Sequence, residues 1–522
     1  MAAANAPSLY ERFSQTRRAH GGRPALAFSE RTLTYEDLGA SADRIAATLK
    51  ATASESESLT AVFAHRTETA YAGILGVLGS GRGYVPLNPA FPPTRTQAMV
   101  RDSGVRTIVA GREALPLLDD VLEGEKGFTI LVPEGPPPEL SGHTVVSSDE
   151  IAAATPVLHH LPRPSDIAYL LFTSGSTGRP KGVGVTQENI DAYLDYVIPT
   201  YEVVPDDRCS QMFELTFDVS VHDLFVTWSA GACLCVPPKG ATMAPGRYIN
   251  SQQLTIWFSV PSVAMIMSRM RALRANTLPT LRASLFAGEA LPAALANEWA
   301  AAAPSSTVEN LYGPTEATIT ITAYRWTAGE QDDGFVPMGE PYPKHRVAVV
   351  DREGNEVADD EAGELCLAGP QVAPGYFRDP ERTASVFKTL PGEGDTIWYC
   401  TGDLVERDSK RGLLYRGRID DQVQIMGFRV ELQEVDLALR AAIGTSLAMA
   451  VSHPPGPAAQ TVYAFAVEAD IDEATALERC RAALPPYMVP RRIFFRPDLP
   501  MNSNGKIDRK ALRAILEGEL DD

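Results

Sequence analysis

Leu170 to Gly182 reads LLFTSGSTGRPKG. An apolar run passes into residues that are mostly Gly, Ser and Thr, and these end on a lysine. Gly175 and Gly178 free the backbone to turn its N–H groups inward, as phosphate-holding nests do. Thr173, Ser174, Ser176 and Thr177 add hydroxyls, and Lys181 adds a cation. A Walker A loop needs Gly, four residues, then Gly-Lys-Ser/Thr. Here Arg179 and Pro180 separate Gly178 from Lys181, and Gly182 follows the lysine. The stretch is therefore a phosphate site of another kind, or an exposed polar turn. Other chemistry-bearing stretches lie downstream: LYGPTEAT (311–318), WYCTGDL (398–404) and NGKIDRKAL (504–512).

The surrounding pattern supplies the elements that would position these groups. From Asp166 to Tyr324 apolar strand-like runs alternate with helical ones. IAYLLF precedes the loop, GVGV follows it, and a helix opens at Thr186 with QENIDAYLDYVI. TIWFSV precedes PSVAMIMSRMRAL, and ASLFAG precedes PAALANEWAAAA. Such alternation predicts a mostly parallel sheet covered by helices. The first 110 residues repeat the theme (LTAVFA, TAYAGILGVLGSG, TIVAG) and are expected in the same large unit. After Phe335 short alternating runs (HRVAVVDREGNEV, GELCLAG, GLLYRGRIDDQVQIMG) predict antiparallel strands. From Phe428 onward helices and strands alternate as in a small α+β domain.

Composition bounds the function classes. The chain has 522 residues, 44% hydrophobic and 22% charged, with a net charge of −19. That charge argues against a general nucleic-acid binder, which needs a basic surface. It also means that an anion site must be built locally, against the overall field. No stretch reaches the roughly 18 apolar residues of a membrane helix. The N-terminus lacks the pattern of a secretory signal. Six cysteines are scattered among apolar neighbours, and Cys233 and Cys235 alternate as in a packed strand. A cytoplasmic setting is expected.

The loop and these stretches occur in the order seen in the adenylate-forming superfamily of acyl-CoA synthetases, luciferases and nonribosomal peptide synthetase adenylation domains, which the chain thereby resembles. GYVPLNP (83–89), GELCLAGPQVAPGYFRDP (363–380) and YRGRIDDQVQIMGFRVEL (415–432) belong to the same series, and the resemblance runs from Tyr10 to Leu512. It implies an α/β fold: a large domain of layered sheets and helices with a β-rich subdomain (1–419), and a small mobile C-terminal α+β domain (420–522).

By that resemblance, Thr173, Ser174, Gly175, Ser176, Thr177, Gly178 and Lys181 wrap the β- and γ-phosphates of ATP. Tyr312, beside Gly313, packs on adenine. Asn310 bonds its edge, Thr315 meets the α-phosphate and Glu316 holds Mg2+, a hard cation suited to carboxylate and phosphate oxygens. Asp403 accepts the ribose hydroxyls with help from Arg418, and Asp420 is the hinge. Lys506 bridges the attacking carboxylate and the α-phosphate, two anions that otherwise repel. Gly427 borders a tunnel for an incoming thiol once the small domain has swung.

The acid is read from FDVSVHDLF (217–225). Members that activate α-amino acids have an aspartate at the position of Asp218, where it pairs with the substrate ammonium. A buried carboxylate without such a partner would be costly; a helix N-cap is the competing role for Asp218. The remaining walls, aligned by motif, are Val219, His222, Ser259, Leu285, Ala287, Leu311, Ile319 and Thr320. They suit a small or medium neutral amino acid such as alanine, serine, threonine or proline. The chain ends about ten residues past DRKAL, which predicts a free-standing enzyme loading the phosphopantetheine thiol of a carrier protein in trans, with a small helper protein as a further partner. The runner-up is a D-alanine–carrier protein ligase of teichoic acid modification. The sequence also admits a carboxylic acid–CoA ligase or a nucleotide-binding protein without catalysis.

Overall fold

Runs of apolar residues set the sheets. Leu59–Phe63 and Gly83–Leu87 are buried at every position, as strands covered on both faces must be, and they pair in parallel. In the computed structural model, all residues are described except 1–6, 157–161, 176–178, 239, 331–333, 456–458, 468, 470, 502–506 and 522. Ser176, Thr177, Gly178 and Lys506 therefore lie outside the described residues.

Two large sheets form the bulk of the chain. One has seven strands, in the order Thr144–Val146, Thr129–Leu131, Thr107–Ala110, Leu59–Phe63, Gly83–Leu87, Ile167–Thr173, Lys181–Thr186. All its pairings are parallel except the last, in which Lys181–Thr186 returns antiparallel on Ile167–Thr173. The other has nine strands, with a parallel centre of Arg208–Ser210, Ile256–Ser259, Ala283–Phe286 and Thr307–Tyr312. The predicted parallel sheet is thus two sheets, and most of the early strands join the phosphate-loop hairpin rather than the nine-stranded sheet. Both pack into one hydrophobic core that includes Phe13, Tyr71, Leu171, Trp228, Trp257 and Trp299.

Helices begin where sequence chemistry allows. Thr186 caps Gln187–Thr200 through a reciprocal box with Asn189, satisfying amide groups that a helix start leaves free. Beyond residue 340, five antiparallel strands form a third sheet, centred on Ala362–Ala368 and Trp398–Asp408. Gly412–Arg418 is its last strand in the chain.

A two-stranded hairpin follows, Gln422–Ile425 against Phe428–Glu431. Its two-residue turn, Met426 and Gly427, has positive φ at both positions, 51° and 81°, the geometry that suits a tight hairpin. Helix Leu432–Ile443, three strands (Ala448–His453, Thr461–Val467, Ile493–Arg496) and helices Glu473–Ala483 and Arg509–Asp521 complete the chain. Val435, Leu439, Ala464, Leu477 and Ile493 form a core of their own. Among the described residues no helix is long and apolar enough to cross a membrane.

Candidate functional site

A cavity of about 360 Å³ opens at the carboxyl ends of Ile256–Ser259, Ala283–Phe286 and Thr307–Tyr312, where Val260, Ala287 and Gly313 line it. This is where α/β sheets place ligands. The hairpin around Gly427 closes the opposite side.

At one end, Asn310, Tyr312, Met338, Asp403 and Arg418 line the wall. The Tyr312 hydroxyl donates to Asp403 Oδ2 at 2.5 Å, and Arg418 Nη1 donates to Asp403 Oδ1 at 2.7 Å. Arg418 also binds Asp420 at 2.7 and 2.9 Å, so the expected ribose carboxylate and hinge residue share one guanidinium. Asn310 donates from Nδ2 to the carbonyls of Val336 and Pro337 at 3.1 and 2.8 Å. Its buried Oδ1 has no partner among the described residues.

Thr173, Ser174 and Thr315 line the middle, and among the described residues the buried Thr173 hydroxyl has no partner. Gly175 sits where a Cβ would meet the Arg179 carbonyl at 2.1 Å, which fixes glycine at this turn. Behind this wall Glu316 is fully buried. Its carboxylate takes Arg429 Nη1 at 2.9 and 3.1 Å and the Tyr376 hydroxyl at 2.7 Å, with Lys181 Nζ at 3.4 Å. Burial would raise its pKa, yet Arg429, Lys181 and Tyr376 hold the carboxyl well below the usual range. Burial and the nearby Arg429 lower Lys181 to about 8.

At the other end lie Asp218, Val219, Ala287, Leu311 and Ile319. Asp218 opens helix Asp218–Ser229 as its first residue. The N-cap position belongs to Phe217, so the capping role does not hold. Asp218 is 8% exposed, and among the described residues it has no cationic partner within ion-pair distance. Burial pushes its carboxyl up to about 6, against hydrogen bonds from Thr315 and the Val219 amide. His222, Ser259, Leu285 and Thr320, expected as walls, sit one layer back and are buried. Each polar group there is already engaged. His222 Nδ1 meets the Tyr193 hydroxyl at 2.7 Å, Trp257 Nε1 donates to Ser259 Oγ at 2.9 Å, and Thr320 Oγ1 bonds the Tyr342 hydroxyl at 2.8 Å. Burial lowers His222 to about 3, so it stays neutral.

Sequence reasoning missed three residues at the site, two of which, Glu289 and Arg429, tie the C-terminal hairpin to the large core. Glu289 accepts the Gly427 amide at 2.7 Å and the Ser262 amide at 2.8 Å. Arg429 binds Glu316, and its carbonyl accepts from Ser174 Oγ at 2.7 Å. Tyr376 holds Glu316 and Lys181, the latter at 3.2 Å. Tyr376 lies within GELCLAGPQVAPGYFRDP and Arg429 within YRGRIDDQVQIMGFRVEL, and a polar residue between Gly288 and Ala290 was the signal for Glu289. Gly427 packs so closely that a Cβ would meet Val260 Cγ1 at 2.3 Å.

The family described as AMP-binding enzyme matches residues 13–377. The chain is 31% identical over 502 residues to Zwittermicin A synthase ZmaJ of Bacillus cereus, covering 94% of this chain and 92% of that one. It is 29% identical over 500 residues to the D-alanine–D-alanyl carrier protein ligase of Bacillus velezensis, covering 92% and 94%. In some other matched synthases it spans only 6–10% of their length. Its fold matches the Vibrio cholerae adenylation domain AlmE in complex with glycyl-adenosine-5'-phosphate, with a TM-score of 0.87 and 29% identity over 99% of both chains.

Proposed function

This chain belongs to the AMP-binding enzyme family, and from that premise we propose that it activates a small neutral α-amino acid and passes it to the phosphopantetheine thiol of a separate carrier protein. As an adenylate-forming ligase it spends ATP to energise a carboxylate. The observation that carries the finer reading is Asp218: a buried carboxylate facing the cavity, with no cation at ion-pair distance among the described residues. A substrate ammonium would supply the missing charge and bring the carboxyl back down. A carboxylic acid for CoA ligation brings no such charge, which disfavours that reaction.

The neighbouring groups fit the rest of the substrate pair. The lone Asn310 Oδ1 would accept from the adenine amino group, and Asp403 would take the ribose hydroxyls. Thr173, Ser174, Thr315 and Lys181 would hold the phosphates. Glu316 is held ionised, which would suit a hard cation, although Arg429 Nη1 bonds both its carboxylate oxygens here. Bound there beside Glu316, Mg2+ would neutralise charge on the leaving pyrophosphate. Lys506, carried over from the motif NGKIDRK, would bridge the amino-acid carboxylate and the α-phosphate. The substrate carboxylate oxygen then bonds to the α-phosphorus, and the bond to pyrophosphate breaks.

In the second reaction the thiol sulfur bonds to the acyl carbon, the acyl–phosphate oxygen bond breaks and AMP leaves. The thiol proton goes to solvent. Residues 420–522 would turn about Asp420 between the two steps. An arrangement with Gly427 at the cavity and Arg429 on Glu316 fits the second.

The layer behind the pocket is already packed, so the room left for a side chain is small. Glycine, alanine and serine are the leading substrates, and AlmE's glycyl adenylate supports that range. D-alanine loading is a second reading, favoured by likeness to the D-alanyl carrier protein ligase across nearly all of both chains. Amino-acid-dependent exchange of labelled pyrophosphate into ATP tests the reading. Exchange supported by small amino acids is expected; exchange with aryl or fatty acids alone overturns the Asp218 assignment. Lys506→Ala should lower exchange by orders of magnitude.

A further inference from the structure

Between Leu224 and Gly288 the sequence contains no Asp or Glu, although 66 of 522 residues are acidic and the net charge is −19. The same stretch holds Lys239, Arg247, Arg269, Arg271, Arg274 and Arg282. Lys239 lies outside the described residues. Arg282 is spoken for by Asp207, with Nε at 2.8 Å from Oδ1. Arg247, Arg269, Arg271 and Arg274 are exposed, and among the described residues none forms an ion pair with a carboxylate. Met243 and Met270 stand among them at 67% and 62% exposure. Met267 links the group internally, its methyl lying 3.1 Å from the position of a Gly246 Cβ. Arginines without a carboxylate partner among the described residues, set around flexible, polarizable methionines, make an adaptable surface for an anionic partner.

The placement of this surface gives it a purpose. Helix Pro261–Arg269 starts beside the cavity, where Ser262 and Gly427 donate to the same Glu289 carboxylate. Its nine residues span about 13 Å at 1.5 Å per residue, so its far end delivers Arg269, Met270 and Arg271 outside the cavity mouth. Midway along, the Met265 sulfur accepts from Gln460 Nε2 at 3.1 Å. Gln460 lies in a second stretch without acid, Leu437 to Val467. The two acid-free stretches therefore meet across the seam between the large core and the C-terminal unit, and Glu298, whose Oε2 accepts from Ser268 Oγ at 2.6 Å, borders the arginines.

We propose that Arg247, Arg269, Arg271 and Arg274, with Met243 and Met270, form the docking face for an acidic carrier protein. From there its phosphopantetheine arm runs beside helix Pro261–Arg269 to Gly427. This rests on the carrier-loading reading above. Charge complementarity selects the partner: the face is locally cationic on a strongly acidic chain, and it leads to the position where a thiol is needed.

The test compares Arg269→Glu/Arg271→Glu/Arg274→Glu with wild type in three measurements: pyrophosphate exchange, acyl transfer to free pantetheine, and loading of holo carrier protein. The probes are holo D-alanyl carrier protein and a holo peptidyl carrier domain. The expected result is unchanged exchange and pantetheine transfer, with carrier loading lowered at least about tenfold. Wild-type loading should weaken with salt, as steering between opposite charges does. Arg269→Lys/Arg271→Lys/Arg274→Lys should load at close to the wild-type rate. Equal carrier loading by the Glu variant overturns the docking face, whatever else the patch binds. An equal loss with free pantetheine also overturns it, because the defect then lies in the cavity. Exchange without loading of either carrier by wild type removes the carrier reading itself, and the docking face with it.

Discussion

Two buried carboxylates flank one cavity, Asp218 in its wall and Glu316 behind it, and they behave oppositely. Asp218 has no cationic partner among the described residues, and burial pushes it up to about 6. Glu316, more deeply buried, is surrounded by Arg429, Lys181 and Tyr376 and stays well below the usual range. Burial alone therefore does not decide the charge state; the partners do. A saturated carboxylate is a structural anchor that a ligand must compete for. An unsaturated one is a vacancy of charge that a ligand can fill.

Substitution should separate the two most sharply. Asp218→Asn should lower kcat/KM for the amino acid about a hundredfold or more, since breaking a buried charge pair costs about 3–5 kcal/mol, while ATP binding by fluorescence titration stays near normal. A small loss would mean that the ammonium is held elsewhere. Thermal unfolding gives the next contrast. Glu316→Gln should lower Tm by stranding Arg429 and Lys181 in the interior, whereas Asp218→Asn should raise it by removing an uncompensated charge. Shifts of the same sign would erase the distinction.

The pH dependence sharpens it further. The raised carboxyl of Asp218 contributes stability at low pH that is lost as pH rises through about 6, and the Asn variant should lack that step. For the same reason, KM for the amino acid should rise as pH falls below about 6. KM for ATP should instead rise above about pH 8, where Lys181 gives up its proton. The smallest effect is Tyr376→Phe, which removes the buried hydrogen bond to Glu316 and the longer one from Lys181. About 1 kcal/mol of stability is expected, visible as a modest fall in Tm.

Much of this arrangement was legible in the sequence where the chemistry is local. Gly175 and Lys181 belong to one hairpin, and Tyr312, Thr315 and Glu316 to one strand end. Glycine content, hydroxyls and strand periodicity mark the hairpin, and the resemblance to the adenylate-forming superfamily singles out Tyr312, Thr315 and Glu316. Contacts across the chain were not legible. Arg429 meets Glu316 from 113 positions away, and Gly427 meets Glu289 from 138. Alternating apolar residues show that a strand has two faces but not what packs on each. That is why His222, Ser259, Leu285 and Thr320 aligned as walls yet sit behind them. Likewise, alternation of strands and helices predicted a parallel sheet without revealing that the chain builds two.

The Asn310 amide has a consequence for nucleotide choice. Because Val336 and Pro337 both take its NH2 group, the side chain is held from offering a donor, and only an oxygen would be left for a base bound there. A purine presenting an exocyclic amine there would be accepted, while the carbonyl of guanine would set oxygen against oxygen. Discrimination between adenine and guanine would then rest on the orientation of one amide, locked by backbone atoms that no side-chain substitution can remove.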